Sequence, residues 1–226
     1  MTHPAIADVP VREIPAEPIA LPATEFEHEF VHMMDDIDAI IDATTNPLHR
    51  KILINYRRHG LLEVSGYYQE LLQPNMTVEH PHYRIFEGGP GTILDGMEQV
   101  AEFYKTLADM DMLVMWTGKQ KMAVSDWGFA GEAEFSQFVP GHLLGDDVFG
   151  SLGEQSASEQ QDESWFLVRR KLAFFWPYED GRMIGEHVYE DSLSKVVTPV
   201  PKEQVITGAR ARDLLAHVID KYELPA

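Results

Sequence analysis

Two residues with acid–base side chains, Tyr56 and His80, are the leading candidates for chemistry in this sequence. Tyr56 shares one face of a predicted helix with His59 and Glu63, because the three recur at helical spacing. His80 lies in residues 76–81, which are predicted to form a β-strand. A histidine titrates near neutral pH, and a buried phenol can donate a hydrogen bond to a developing oxyanion. The alternative is that both residues belong to the core and are satisfied by the protein itself.

Three consecutive cations, Arg169, Arg170 and Lys171, fall within a predicted strand over residues 165–176. Side chains alternate between the two faces of a strand, so at least one of these cations lies on a mostly apolar face. A buried cation needs a carboxylate or an anionic ligand. Arg169 or Lys171 could therefore hold a substrate phenolate, or the cations could form ion pairs on the outer face of the sheet.

The segment His80-Pro81-His82, followed by Glu87, has the spacing of a possible metal site. It resembles the metal motif of the cupins, and His142 or His187 could supply a third imidazole. A predicted helix rather than a strand follows this segment, however. The glycine-rich loop that begins at Glu87 also lacks the lysine and serine or threonine of a phosphate loop. We therefore expect neither a metal nor another cofactor.

The elements that must position these residues follow from local patterns. Asn46 can cap a helix whose first residue is Pro47. The other predicted elements are a helix over residues 26–43, a helix from Asp95, strands over 112–124, 129–139, 165–176 and 182–191 with a hairpin turn at 179–181, and a helix over 203–222. Helices first and an antiparallel meander afterwards predict an α+β fold.

Three regions are predicted along the chain. Residues 1–45 form an extended, proline-rich arm and a short helix, and the arm could pack on a neighbouring subunit. Residues 46–192 form the main domain, in which an acidic loop is inserted at 141–163. Residues 193–226 form a C-terminal extension with a helix.

The composition limits the possible partners. The chain has 226 residues, no cysteine and a formal net charge of −19. A surface this negative repels phosphate backbones and anionic lipid, so we expect no binding to nucleic acid or membranes. Disulfides and thiolate sites are excluded. With no predicted signal peptide or membrane-spanning segment, the expected location is the cytoplasm.

The order of elements resembles that of the nuclear transport factor 2-like superfamily, which includes ketosteroid isomerases and small polyketide cyclases. The segment Thr77-Val78-Glu79-His80-Pro81 is similar to the isomerase strand that carries the catalytic aspartate, with His80 in its place. A step of 24 residues back along that pattern reaches Tyr56, at the position of the oxyanion-binding tyrosine. Gly96, Phe103 and Tyr104 match the helix that follows.

This resemblance implies a cone of helices over a curved, mostly antiparallel sheet. It implies that Tyr56 and His80 face each other across a buried pocket, and that the strand face of Glu186 points inward, where Glu186 could partner Lys171 or act as a base. Further substrate contacts are expected from residues around such a cone, namely Tyr104, Tyr68, Glu134, Val188 and Phe175. Dimerisation through the sheet, or a larger homo-oligomer, is also implied.

The whole chain, with its arm, long first helices and acidic insertion, resembles the diarylpropane lyases of the same superfamily. These enzymes release formaldehyde from a lignin-derived dimer without a cofactor. The resemblance implies a lyase for a small aromatic substrate. Lys171 or Arg169 would stabilise a phenolate, Tyr56 or His80 would help a hydroxyl leave to give a quinone methide, and His80 or Glu186 would act as base. The alternatives are a proton-transfer isomerase or cyclase, a metal-dependent enzyme and a non-catalytic binding module.

Overall fold

The computed structural model describes residues 3–6, 12, 14–16, 20–144 and 164–224. The α-helices in these ranges are α1 (Glu25–Val31), α2 (Asp35–Ala43), α3 (Pro47–Val64), α4 (Tyr68–Leu71), α5 (Met97–Asp109) and α6 (Gly208–Leu215). The strands are β1 (His82–Phe86), β2 (Thr92–Asp95), β3 (Met115–Thr117), β4 (Lys121–Ser125), β5 (Gly128–Pro140), β6 (Trp165–Glu179), β7 (Arg182–Met183) and β8 (His187–Val200). Most of the predicted acidic insertion, residues 145–163, lies outside the described residues.

The strands form one sheet in the order β2-β1-β8-β6-β5-β3, with β4 paired to β5 and β7 paired to β6. The pairs are antiparallel except β1 with β8, which run parallel. The predicted α+β architecture, with helices over a curved and mostly antiparallel sheet, is confirmed. No helix of the described residues is both long and apolar enough to cross a membrane.

Helix α3 carries several candidate residues to the sheet. It begins where predicted, because the Asn46 side chain caps its N-terminus and Pro47 occupies its first turn. Tyr56 and His59 lie on the face that packs against the sheet, where the ring centroid of Trp176 is 5.2 Å from that of Tyr56 and 4.8 Å from that of His59. The helix is therefore one wall of an aromatic core.

The predicted strand over residues 76–81 is wrong. Thr77 makes an isolated bridge, and β1 begins only at His82. Pro81 has no backbone N–H to give to a sheet, and the chain bends just before it. The alternation of side chains that would have pointed His80 into the cone therefore does not apply.

The helix predicted over residues 26–43 is divided into α1 and α2 by a turn at residues 32–34. The turn contains Met33 and Met34, whose side chains are buried between the helices and the sheet. Gly60 in α3 makes room for one of them, since a Cβ at this position would lie 2.6 Å from Met34 Cε. Both methionines line the cavity between the helices and the sheet.

The C-terminal half follows the predicted meander, but two of the four predicted strands are each divided in two. Residues 112–124 contain β3 and most of β4, and residues 182–191 contain β7 and the start of β8. The predicted hairpin turn is confirmed, because Asp180 (φ 53°) and Gly181 (φ 77°) both adopt the positive φ that a type I′ turn requires. Strand β8 continues to Val200, so the sheet extends beyond the predicted domain boundary at residue 192. The helix predicted over residues 203–222 is shorter, and α6 is its α-helical part.

The N-terminal arm packs against its own chain. Ile6 is buried, and Arg12 donates to Glu70 and Asp220 at N–O distances of 2.6 to 3.1 Å. Arg58 of α3 binds the same two carboxylates. Burial alone lowers the pKa of Arg12, but hydrogen bonds to both carboxylates outweigh it and raise the pKa above its ordinary value. A four-residue ionic network therefore fixes the arm.

Replacing Arg12 with alanine is expected to lower the free energy of unfolding by about 1–3 kcal/mol, because it removes charged hydrogen bonds from this network. Chemical denaturation at pH 7 measures the change. Arg182→Ala is the control, since the Arg182 side chain is only partly buried and lies 3.5 Å from Glu179. It should change stability by less than about 0.5 kcal/mol. Equal losses in the two variants would contradict the role of the arm.

Apolar side chains are exposed on the outer face of the sheet. Phe175 of β6 is 44% exposed, and Tyr189 of β8 is 38% exposed. Phe86 stacks on Tyr189 with the ring centroids 5.4 Å apart. Leu193 and Val196, further along β8, are also exposed. The homo-oligomer stays a prediction, and this outer patch is its candidate contact surface.

Replacing Phe175 with aspartate is expected to dissociate such an oligomer, because a carboxylate would have to be buried against a partner's apolar surface. Size-exclusion chromatography with light scattering gives the mass. Glu132→Gln is the control, since Glu132 is exposed on β5 and pairs with Lys121. A monomeric wild-type protein would show the predicted oligomer to be wrong.

Candidate active site

A small cavity of about 70 Å³ lies between helix α3 and the concave face of the sheet. Its walls are mostly apolar and aromatic, and include Met33, Met34 and Trp176. Ligand pockets typically measure roughly 300–1,000 Å³. A substrate of ordinary size therefore requires wall residues to move, and unbranched methionine side chains are well suited to that.

The polar part of this cavity is a buried cluster of His59, Glu63, Tyr104 and Glu186. His59 Nε2 lies 2.9 Å from Glu186 Oε1 and 3.6 Å from Glu63 Oε2. The Tyr104 hydroxyl donates to Glu186 and lies 3.2 Å from His59 Nε2. The hydroxyl of Tyr83 is 3.3 Å from that of Tyr104. One imidazole thus contacts two carboxylates, those of Glu63 and Glu186. Both of these residues line the cavity.

Burial and pairing change the titration of this cluster. Burial alone lowers the pKa of His59, but the hydrogen bonds to Glu186 and Glu63 outweigh it and raise the pKa to about 9. Burial and the nearby charge of Glu186 raise the pKa of Glu63 to about 7, although His59 opposes the shift. At neutral pH His59 is therefore cationic, and Glu63 can both bind and release a proton.

His59 Nδ1 faces no hydrogen-bond acceptor among the described residues. The imidazole instead packs against Trp176 in an edge-to-face arrangement, with the centroids 4.8 Å apart.

A second buried ionic group adjoins the first. Arg170 of β6 donates to Glu87 at 2.7 Å and to Gln137 Oε1 at 3.2 Å, and its Nε lies 3.5 Å from Glu190. Glu87 also lines the cavity. Burial raises the pKa of Glu87 even though Arg170 opposes the shift. Glu87 is therefore a third glutamate that lines the same cavity.

Tyr56 also lines the cavity and is tied to the α1–α2 turn. Its hydroxyl donates to Gln120 Oε1 at 2.6 Å, and Gln120 Nε2 donates to the backbone carbonyl of Met33 at 3.0 Å. Burial raises the pKa of Tyr56 above its ordinary value, so the phenol stays protonated. The Trp176 indole N–H has no hydrogen-bond partner among the described residues. The Tyr56 proton is therefore engaged by Gln120, whereas the Trp176 N–H is an unpaired donor within the part of the chain that the structure describes.

The structure brings five of the residues named from the sequence to this region. Tyr56, Glu186 and Val188 line the cavity, and Tyr104 donates to Glu186. Tyr68 is half-buried and stacks on Tyr104 with the ring centroids 6.2 Å apart. The expectation that the strand face of Glu186 points inward agrees with this geometry, while the roles of these residues stay predictions.

The placement of His80 inside the cone is wrong. Its side chain is 72% exposed, and its Nε2 lies 2.9 Å from Asp95. His82 Nδ1 is 3.3 Å from the same Asp95 oxygen, whereas Glu87 pairs with Arg170 inside the cone. The metal motif considered from the sequence is therefore not assembled, because its histidines and its glutamate lie on different sides of the sheet edge.

The placement expected for the two candidate cations is also wrong. Lys171 is exposed on the outer face of β6, and Arg169 pairs with Glu29 at 2.9 Å in an outer groove. Arg170 is the one of the three that faces inward. Phe175 lies on the outer face, and Glu134 lies in the outer groove. A register shift between Arg169 and Lys171, which local periodicity does not reveal, accompanies this arrangement.

The sequence analysis did not single out His59 and Glu63 as candidate site residues. The available signal was their spacing from Tyr56, which puts all three on one face of α3. A histidine and a glutamate four residues apart on a largely buried helix need polar partners. That need is the observation that could have identified them.

Three side chains of the cluster could also hold a metal ion. His59, Glu63 and Glu186 each offer one ligand atom, and these atoms lie within 4.8 Å of one another. Nitrogen and oxygen ligands of this type suit zinc, iron or manganese. The same atoms already pair as donors and acceptors, so acid–base chemistry is the other use of the cluster.

The sequence matches no protein-family profile and no curated protein. A solved structure described as a SnoaL-like polyketide cyclase from Jannaschia sp. CCS1 has 16% sequence identity and a TM-score of 0.45, covering 66% of this chain and 92% of that one. The epoxide hydrolase/cyclase-like enzyme SalBIII of salinomycin pyran ring formation has 10% identity, a TM-score of 0.39, and coverage of 66% and 95%. A phenazine biosynthesis-related protein from Pseudomonas aeruginosa has 13% identity, a TM-score of 0.35, and coverage of 81% and 99%. Likeness this distant does not transfer an activity to this chain.

Proposed function

We propose that this protein is an enzyme that transfers protons on a mostly apolar, aromatic substrate held in the cavity, with Glu63 as the group that exchanges the proton. The single observation that carries the proposal is the position of Glu63. Its carboxylate lines the cavity, and burial beside Glu186 raises its pKa to about 7. A general base or acid works best when its pKa is near the operating pH.

The other members of the cluster have supporting roles. The His59 imidazolium keeps the carboxylate of Glu186 paired, and Tyr104 donates to that same carboxylate. The indole N–H of Trp176, which has no partner among the described residues, can donate a hydrogen bond to negative charge that develops on the substrate. Burial of the whole group strengthens these interactions, because the effective dielectric constant is low.

The specific reaction in this proposal is deformylation of a diarylpropane diol, with proton-transfer isomerisation or cyclisation as the alternative. In the lyase, the benzylic hydroxyl and the phenol proton are lost together as water, which gives a quinone methide. Glu63 then takes the proton of the primary alcohol, in the role that the sequence assigned to His80 or Glu186. The carbon–carbon bond breaks to release formaldehyde, its electron pair restores the aromatic ring as a phenolate, and the proton held by Glu63 returns to the phenolate oxygen. The order of elements supports membership of the nuclear transport factor 2-like superfamily as part of the same proposal.

Product analysis separates these reactions. Incubation with a diarylpropane diol is expected to release formaldehyde, measured colorimetrically, and a stilbene, measured by its absorbance. Uncharged aryl ketones in D₂O, followed by NMR, report proton exchange without bond cleavage. Exchange without formaldehyde would favour an isomerase or cyclase. Neither product nor exchange with any of these compounds would contradict the proposed function and favour a binding module.

A metal-dependent enzyme is the second candidate, because three cluster residues have suitable ligand atoms within reach of one another. In that case, the same assay should lose activity after dialysis against a chelator and regain it with one divalent metal. Elemental analysis of the purified protein gives an independent readout. Full activity after chelation, with no bound metal, would exclude this candidate.

A further inference from the structure

Carboxylates outnumber cations around the cavity. Glu63, Glu87, Glu186 and Glu190 are arranged around His59 and Arg170, and none of these side chains is more than 13% exposed. Negative charge in such a place is costly, because little water is present to solvate it. The two cations already contact these carboxylates, so a bound anion would add to an existing excess of negative charge.

Most of the charged hydrogen-bonding groups at the cavity wall are acceptors. Glu63, Glu87 and Glu186 all line the cavity and present acceptor oxygens. Trp176 also lines the cavity, and its N–H is a donor without a partner among the described residues. A hydroxyl group matches this wall, since it can donate to a carboxylate and accept from an N–H. A carboxylate group can only accept, and would be repelled.

We infer that the cavity selects uncharged aromatic molecules that carry a hydroxyl group and excludes the corresponding carboxylates. The inference rests on the proposed function for the location of the site and adds the class of substrate. An ammonium group is disfavoured for a different reason, because the apolar walls would strip its hydration shell.

Binding of matched one-ring probes tests this inference without any turnover. The probes are benzyl alcohol, benzoate, benzylamine and toluene, and ligand-observed NMR at pH 7 measures each Kd. A cavity that holds benzene in another protein measures roughly 150 Å³, so the smallest ring is the right size of probe and still requires Met33 or Met34 to move. Benzyl alcohol is expected to bind at least about tenfold more tightly than benzoate, which corresponds to about 1.4 kcal/mol. It should also bind more tightly than toluene and benzylamine.

A charge variant provides the second measurement. Glu87→Gln leaves Arg170 with less negative charge around it, so the preference for benzyl alcohol over benzoate should shrink at least about threefold. Glu134→Gln is the matched control, because it removes the same charge in the outer groove, and the preference should stay unchanged. If Glu87→Gln does not fold, the probe series on the wild-type protein still decides the question.

Failure of this inference can be distinguished from failure of the proposed function. Benzoate binding as tightly as benzyl alcohol, or benzylamine binding more tightly, would overturn the inference whether or not the protein is an enzyme. The expected order of binding without turnover of any substrate would support the inference and leave only the proposed function contradicted.

Discussion

Replacing Glu63 with glutamine is expected to lower kcat/KM at least about 100-fold, because general acid–base groups contribute roughly 10²–10⁴-fold to rates. Glutamine has the same shape but cannot exchange a proton. The pKa of Glu63 is raised to about 7, so wild-type kcat/KM should increase as the pH rises through 7, when the base form appears. The variant should lose this inflection along with the rate. Initial rates with the substrate identified by product analysis, measured from pH 5 to 9, give both results.

Two controls make this prediction sharp. Thermal unfolding of Glu63→Gln shows whether the loss of rate reflects a loss of fold. His80→Ala removes the histidine predicted from sequence as the base, but its imidazole is exposed and pairs with Asp95 outside the cone. Activity should change by less than about twofold, as for a surface substitution. Loss of activity in His80→Ala with retention in Glu63→Gln would show that the wrong group has been assigned.

Replacing His59 with glutamine is expected to lower the free energy of unfolding by about 3 kcal/mol near pH 7, because removing one partner of a buried ion pair leaves uncompensated charge. His59 is fully buried between Glu63 and Glu186. The pKa shift from 6.5 to about 9 corresponds to stabilisation of similar size. Urea denaturation at pH 7 measures the loss. His32→Gln is the control, since His32 is exposed, and its effect should stay within about 0.5 kcal/mol.

The pH dependence of the free energy of unfolding should also report the charge on His59. The folded-state pKa of His59 lies above its unfolded value, so its contribution is fully present below pH 6.5 and is lost as the pH rises through about 9. Wild-type stability should therefore fall between pH 6.5 and about 9.5, and the part of this fall that His59 causes should be lost in His59→Gln. The raised pKa of Glu63 also makes stability fall as the pH rises, but over a lower pH range. The reason is that the folded state binds this proton more strongly than the unfolded state does. A wild-type protein that is equally stable at pH 6 and pH 9.5 would contradict the charged imidazole.

Local sequence signals predicted the parts of the fold that depend on neighbouring residues. The start of α3 at Asn46 and Pro47 was predicted, because a cap and a proline act within one helical turn. The hairpin at Asp180 and Gly181 was predicted, because the positive φ angles it needs restrict the choice of residues. The α+β class followed from the order of such elements.

The inward face of β6 was not predictable in the same way. Periodicity showed that one of the adjacent cations had to face apolar residues, but Arg170 rather than Lys171 does so. The choice depends on pairing with β5 and β8 and on the register shift near Lys171. A shift of one residue in a strand exchanges its two faces, and only the partner strands fix it.

By itself, the sequence determined an acidic α+β chain with Tyr56 and Glu186 on faces that could meet inside a cone. The tertiary structure alone decided which acid–base groups join them. Its bend before Pro81 turned His80 to solvent, and its sheet brought Glu186 to His59 and Glu63 from more than a hundred residues away. The reason is physical. A pKa near 7 in Glu63 depends on burial and on a neighbouring charge, and both exist only after distant segments have packed together.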